Sequence, residues 1–61
     1  MKVRDLLKRL HDDGWRLKNQ EGSHRQLIHR VKSGEVTVNG HPSDELAQGT
    51  LKSVLKQAGM K

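Results

Sequence analysis

The tripeptide Gly22-Ser23-His24 holds the most reactive combination of residue types in this 61-residue chain. An unperturbed imidazole titrates near pH ~6.5, so it both accepts and releases protons in neutral solution. Here it follows a glycine and a serine, residues that suit a tight turn. The surrounding chain carries 12 Lys and Arg against 7 Asp and Glu, a net charge of +5 that favours polyanionic partners through counterion release and electrostatic steering. The sign of the charge does not by itself separate RNA from DNA or from an acidic protein. RNA fits the imidazole best, because its 2′-hydroxyl is a built-in nucleophile from which a histidine can take a proton without a metal.

Four histidines, His11, His24, His29 and His41, raise metal binding as a competing chemistry. They lack the helix-register and cysteine-associated spacings of common zinc sites. The absence of cysteine excludes thiolate catalysis, disulfide staples and cysteine-based zinc sites. Neither a native metal nor another cofactor is expected.

The elements that must position His24 are legible in the spacing of apolar residues. Val3, Leu6, Leu7 and Leu10 follow the i, i+3, i+4, i+7 pattern of one helix face, and Gly14 suits a stop after a helix ending near Asp13. Leu51, Val54, Leu55 and Ala58 repeat that pattern before Gly59. The start of this second helix is open between a Thr50 cap and a first turn already containing Gln48 or Gly49. Between the helices, Trp15 to Asn19 alternates as a half-buried strand does, His24 to Val31 predicts a second strand and Glu35 to Asn39 a third. Glu21-Gly22-Ser23 and Lys32-Ser33-Gly34 are short enough to make the strands antiparallel.

The expected fold is α+β, in the order α-β-β-β-α, with both helices on one face of a three-stranded antiparallel sheet and the other face open. Trp15, Leu17, Val36 and Val38 are expected to point to the helices, Arg16, Lys18 and Thr37 away from them. On the middle strand, alternation groups His24, Gln26, Ile28 and Arg30 against Arg25, Leu27, His29 and Val31. Leu27 and Ile28 pull in opposite directions, so the pattern alone leaves the buried set undecided. Trp15 is expected in the core. His29, five positions from His24 in an uninterrupted strand, falls on the opposite face.

Sixty-one residues allow one domain, taken as 1–61, with one modest core and no elaborate substrate cavity. No apolar run reaches signal-peptide or membrane-span length, so a cytoplasmic protein without membrane attachment is expected.

Several segments together resemble the HicA toxins, small ribonucleases of bacterial and archaeal toxin–antitoxin pairs. They are Gly22-Ser23-His24-Arg25-Gln26 with His29, Val36-Thr37-Val38, Pro42-Ser43-Asp44-Glu45-Leu46, Gly49-Thr50-Leu51 and Leu55-Lys56-Gln57-Ala58-Gly59. The similarity spans essentially the whole chain, including Leu6-Leu7 and the Gly14-Trp15 step. It implies a fold like a double-stranded RNA-binding domain, cleavage of messenger RNA by His24 as the catalytic residue, and neutralisation by a cognate HicB-like antitoxin. It also places Leu27 inward and Ile28 outward, so that His24 faces out beside Gln26 and Arg30. Two departures, Arg30 and Gln48 where the family often has proline, touch the second loop and the start of the last helix.

Under this reading Gly22 and Ser23 shape the turn that carries the site, and Arg16, Lys18, Arg25 and Arg30 are the candidate RNA-binding cations that would stabilise charge on the phosphorus oxygens. The product is a 2′,3′-cyclic phosphate, and free toxin is a monomer. Two readings of other classes remain beside it: a non-catalytic RNA-binding module, and a decayed toxin that only binds its antitoxin.

Overall fold

The computed structural model describes residues 1–60. Its elements are α1 (Val3–Asp12), β1 (Trp15–Glu21), β2 (His24–His29), β3 (Glu35–Val38) and α2 (Gln48–Gln57), the expected α-β-β-β-α order. The strands form one antiparallel sheet in the order β1-β2-β3, which leaves the β1 and β3 edges free. Helix α1 packs chiefly on β1 and α2 on β3, so both helices lie on the same face. The result is a slab 29 × 26 × 16 Å whose thin dimension holds one helix layer and one sheet. Among the described residues no third layer covers the opposite sheet face.

The core lies between the layers. Val3, Leu6 and Leu10 from α1 and Val54 and Ala58 from α2 meet Trp15, Leu27, Val36 and Val38 from the sheet, all at most 6% exposed. Leu7, Leu46, Leu51, Leu55 and Met60 pack around this group and are only partly buried. The α1 stripe is therefore deeper in its first, fourth and eighth positions than in Leu7. Leu27 is buried and Ile28 is 41% exposed, which fixes the face of every residue on β2.

The ends of α1 show how loops complete the helices. Its first amides donate to the β3–α2 connection, Val3 N–H to the Asp44 carbonyl and Arg4 N–H to the Pro42 carbonyl, while the Asp5 carboxylate accepts from the Lys2 N–H at 3.2 Å. These partners take up donors that the helix itself leaves unpaired. Helix α2 starts at Gln48 after Ala47 in an extended conformation, so Thr50 lies inside the first turn and does not cap it.

Strand β1 runs two residues beyond the expected Asn19, and its register slips between Leu17, opposite Leu27, and Asn19, opposite Gln26. Lys18 is the extra residue of a β-bulge. Strand β2 ends at His29 rather than Val31, because the His29 ring accepts the Val31 and Lys32 amides that a continuing ladder would need. Val31, which alternation placed on the inward side, is 87% exposed. Leu17 does lie on the helix side, but at a sheet edge that α1 covers incompletely, and it remains 54% exposed.

A histidine-centred depression on the open sheet face

The site begins with a turn. Gly22 has φ +58° while Ser23 does not have positive φ, the sign pattern of a type II′ turn joining β1 to β2. A Cβ built on Gly22 meets nothing within 4 Å, so its requirement is the backbone conformation rather than space. Ser23 acts through its carbonyl, which accepts from the Gly40 N–H at 3.2 Å and from Arg25 Nη1 at 3.4 Å. Together these contacts hold the hairpin tip against the end of β3.

A two-residue loop places its flanking residues directly opposite each other, and Glu21 is the register partner of His24. The bulge decides which way Glu21 faces. Uninterrupted alternation from Trp15 would turn Asn19 and Glu21 inward with the core; the additional residue at Lys18 reverses that, putting Gln20 on the helix side and Asn19 and Glu21 on the open face. Asn19, Glu21, His24, Gln26 and Thr37 line one shallow depression of about 600 Å³ there. His24 is exposed and its neighbours are amides, a hydroxyl and one carboxylate.

The four candidate cations stand elsewhere. Arg25 faces the helix layer, is 9% exposed, and donates from Nη1 to the Gly40 carbonyl at 2.8 Å as well as to Ser23. Alternation had set Arg25 on the face opposite His24, and the structure agrees, which separates this candidate RNA-binding cation from the imidazole. Arg16 folds back toward α1, its Nη1 donating to the His11 carbonyl at 3.0 Å and to the Trp15 carbonyl at 2.9 Å. Lys18 pairs with Glu35 of β3 at 3.4 Å across the open face. Arg30 is exposed beyond the end of β2, beside Asp13, Gly14 and Arg16. At ~3.3 Å per strand residue, Arg30 lies about 20 Å along the chain from His24.

His29 is fully used by the fold. The Val31 and Lys32 amides, which can only donate, both reach Nδ1 at 3.0 Å; Nε2 therefore carries the proton and donates to the Asp13 carbonyl at 2.7 Å. Its ring stands edge-on to Trp15 with centroids 5.3 Å apart. Gly14 makes room for it: at φ +108°, a Cβ there would come within 2.6 Å of Nε2. Among the described residues the Trp15 indole N–H has no hydrogen-bond partner, although it lies near enough to the Asp13 carboxylate to help lower its pKa.

Asp13 is joined to Lys32 at 2.6 Å, and the same ammonium donates to the Ala58 carbonyl at the end of α2. That hydrogen bond is the main reason the Asp13 carboxyl is held below its ordinary value of 3.8, burial working in the opposite direction. Among the described residues no three His, Asp or Glu side chains gather in a metal-binding cluster, and no helix is long and apolar enough to cross a membrane.

Sequence alone singles out His24, sets Gln26 beside it and Thr37 on the open face, and gives Asn19 and Glu21 no part in the site. The two-residue loop was a usable signal for Glu21, because it fixes the residue opposite His24. The bulge left no such signal, since no apolar residue follows Leu17 on β1 to report the change of face.

A family model described as the HicA toxin of bacterial toxin–antitoxin systems matches residues 3–60. No curated protein matches the chain.

Proposed function

The chain belongs to the HicA toxin family, and from that membership we propose that it is an endoribonuclease that cleaves messenger RNA through His24 and is neutralised by a cognate antitoxin in the cytoplasm. The observation that supports this most directly is the contrast between the strand's two imidazoles: His29 is consumed by hydrogen bonds inside the fold, while His24 stands exposed in a polar depression. An imidazole so placed is accessible to a bound RNA strand. It takes the 2′-hydroxyl proton, the 2′-oxygen attacks phosphorus, and the bond to the 5′-oxygen breaks, leaving a 2′,3′-cyclic phosphate.

The distribution of charge refines the rest of the mechanism. Because Arg16, Arg25 and Arg30 are turned away from or distant from His24, the groups that meet charge developing on the phosphorus oxygens are the neutral donors of the depression, the amides of Asn19 and Gln26 and the Thr37 hydroxyl. The Asn19 side-chain oxygen Oδ1 already accepts the Gln20 N–H at 3.0 Å, which leaves the side-chain amide hydrogens directed to other partners. Lys18 is the nearest cation on this face by register. Its pair with Glu35 is exposed and weak enough for a phosphate to displace.

Purified protein and its His24→Ala variant, incubated with single-stranded RNA, test the reading. The wild type should cut RNA to cyclic phosphate ends and spare DNA, and the variant should lose cleavage while keeping most RNA binding. Wild-type protein that binds RNA and leaves it whole would instead favour a binding module, a reading supported by the distance between the free cations and His24. Ends carrying a 5′-phosphate would indicate attack by water. An antitoxin that neutralises by covering His24 would compete with RNA.

A further inference from the structure

We infer that Glu21 is the positioning residue of His24, its carboxylate accepting the imidazole N–H and thereby fixing the ring's tautomer and orientation; the inference rests on the ribonuclease reading above. Three features of the structure lead to it. Glu21 and His24 are direct register partners across the type II′ turn, a relation that sets Cβ atoms ~5 Å apart. The bulge at Lys18 turns Glu21 onto the open face, so the two side chains border one depression. Glu21 is also uncommitted: among the described residues its carboxylate makes no salt bridge or hydrogen bond, to His24 or to any other group, so a rotation of these two exposed side chains closes the inferred contact, whereas Glu35, Glu45, Asp5, Asp12, Asp13 and Asp44 are all engaged.

The charge is otherwise out of place. A carboxylate beside a scissile phosphate repels the substrate, and Glu21 is the only acid among the described residues that line the depression. Its presence is accounted for when it acts on the imidazole. When His24 takes the 2′-hydroxyl proton, the O–H bond breaks, the ring becomes cationic, and an ionised Glu21 stabilises that cation. The departing 5′-oxygen then takes the proton of the imidazolium, directly or relayed through a water molecule, and the ring is returned to its neutral form. Glu21 remains ionised throughout and exchanges no proton.

Glu21→Gln and Glu21→Asp, measured beside wild type and His24→Ala, test the assignment, with circular dichroism confirming the fold of each. Glu21→Gln should lower kcat about fivefold, the scale set by one exposed ion pair, with KM unchanged or reduced, and Glu21→Asp should recover part of the loss. Unchanged or increased kcat with a lower KM would show that Glu21 only repels RNA, and would overturn the assignment. A second reading needs no activity. Ring ¹⁵N shifts of His24 should show the wild-type tautomer ratio moving toward that of free histidine in Glu21→Gln; identical ratios in the two proteins would overturn the assignment even if both cleave RNA. If the wild type fails to cleave at all, the ribonuclease reading falls, while the ¹⁵N measurement still decides whether Glu21 holds the ring.

Discussion

Two imidazoles on one strand meet opposite surroundings because their separation is odd, and strand side chains alternate. His24 points out of the open face. His29 points back to the junction of α1 and β1, where it bonds two amides and a carbonyl and abuts Trp15 and Gly14. Those three bonds join the β2–β3 loop to the end of α1, so His29 acts on stability rather than on a substrate. Replacing it with glutamine removes an acceptor shared by two amides and the edge contact with the indole. His29→Gln should lower unfolding free energy by about 1–2 kcal/mol, the net worth of one or two hydrogen bonds between partly exposed groups, and leave cleavage per folded molecule near wild type. Urea unfolding followed by Trp15 fluorescence, with activity measured well below the midpoint, checks both halves. A folded His29→Gln protein with strongly reduced turnover would instead make this imidazole part of the reaction.

At the level of elements, the Lys18 bulge carries the largest consequence for the site. It lets β1 begin with Trp15 facing the core and end with Glu21 facing His24, two orientations that a regular strand of this length would make incompatible. Since Lys18 is the residue without a partner in the ladder, deleting it should preserve every other pair. The shortened protein should therefore fold, melt within about 5 °C of wild type given that the lost Lys18–Glu35 pair is exposed, and keep Glu21 opposite His24. Cross-strand nuclear Overhauser contacts between Glu21 and His24 and between Asn19 and Gln26 would verify the retained register; their loss would mean that the bulge itself sets the pairing. This element also marks the boundary of what the sequence could reveal. Val3, Leu6 and Leu10 at helical spacing, and Val36 with Val38 at strand spacing, report the buried faces of α1 and β3 directly, and Leu51, Val54, Leu55 and Ala58 make α2 legible in the same way. Lys18-Asn19-Gln20-Glu21 is polar throughout, so its facing is set by hydrogen-bond register and leaves no trace in hydrophobic pattern. Leu27-Ile28 leaves the pattern undecided for the converse reason, because two adjacent apolar residues satisfy either face equally; the family resemblance puts Leu27 inward and Ile28 outward, as they are found. Residue type makes Arg25 a candidate RNA-binding cation and alternation sets it opposite His24, but its reach to the Gly40 carbonyl depends on where the β3–α2 connection passes.

For the whole molecule, a slab one helix layer and one sheet thick has little buried area to hold it together, and chains of this size bury only about 60% of the surface they expose when unfolded. Connections between elements distant in sequence then matter more, and Lys32 makes one of the furthest-reaching. From the β2–β3 loop its ammonium reaches the Asp13 carboxylate after α1 and the Ala58 carbonyl at the end of α2, so one side chain ties together the ends of both helices. The folded state therefore binds a proton at Asp13 less readily than the unfolded chain does, first because of the Lys32 hydrogen bond and despite the opposing effect of burial. A lowered folded-state pKa gives stabilisation that is complete above the unfolded carboxyl value of 3.8 and is lost as pH falls through the lower folded value. In the Asp13→Asn variant the amide cannot supply this charge-dependent contribution. The variant should be less stable than wild type at neutral pH, and the gap should close as acid titrates Asp13 in the wild type. Urea midpoints measured from pH 7 down to about pH 2 provide the check. Two curves that stay parallel through the acid range would show that the Asp13–Lys32 pair does not couple folding to protons, and that the carboxylate's part in joining the two helix ends is one of shape alone.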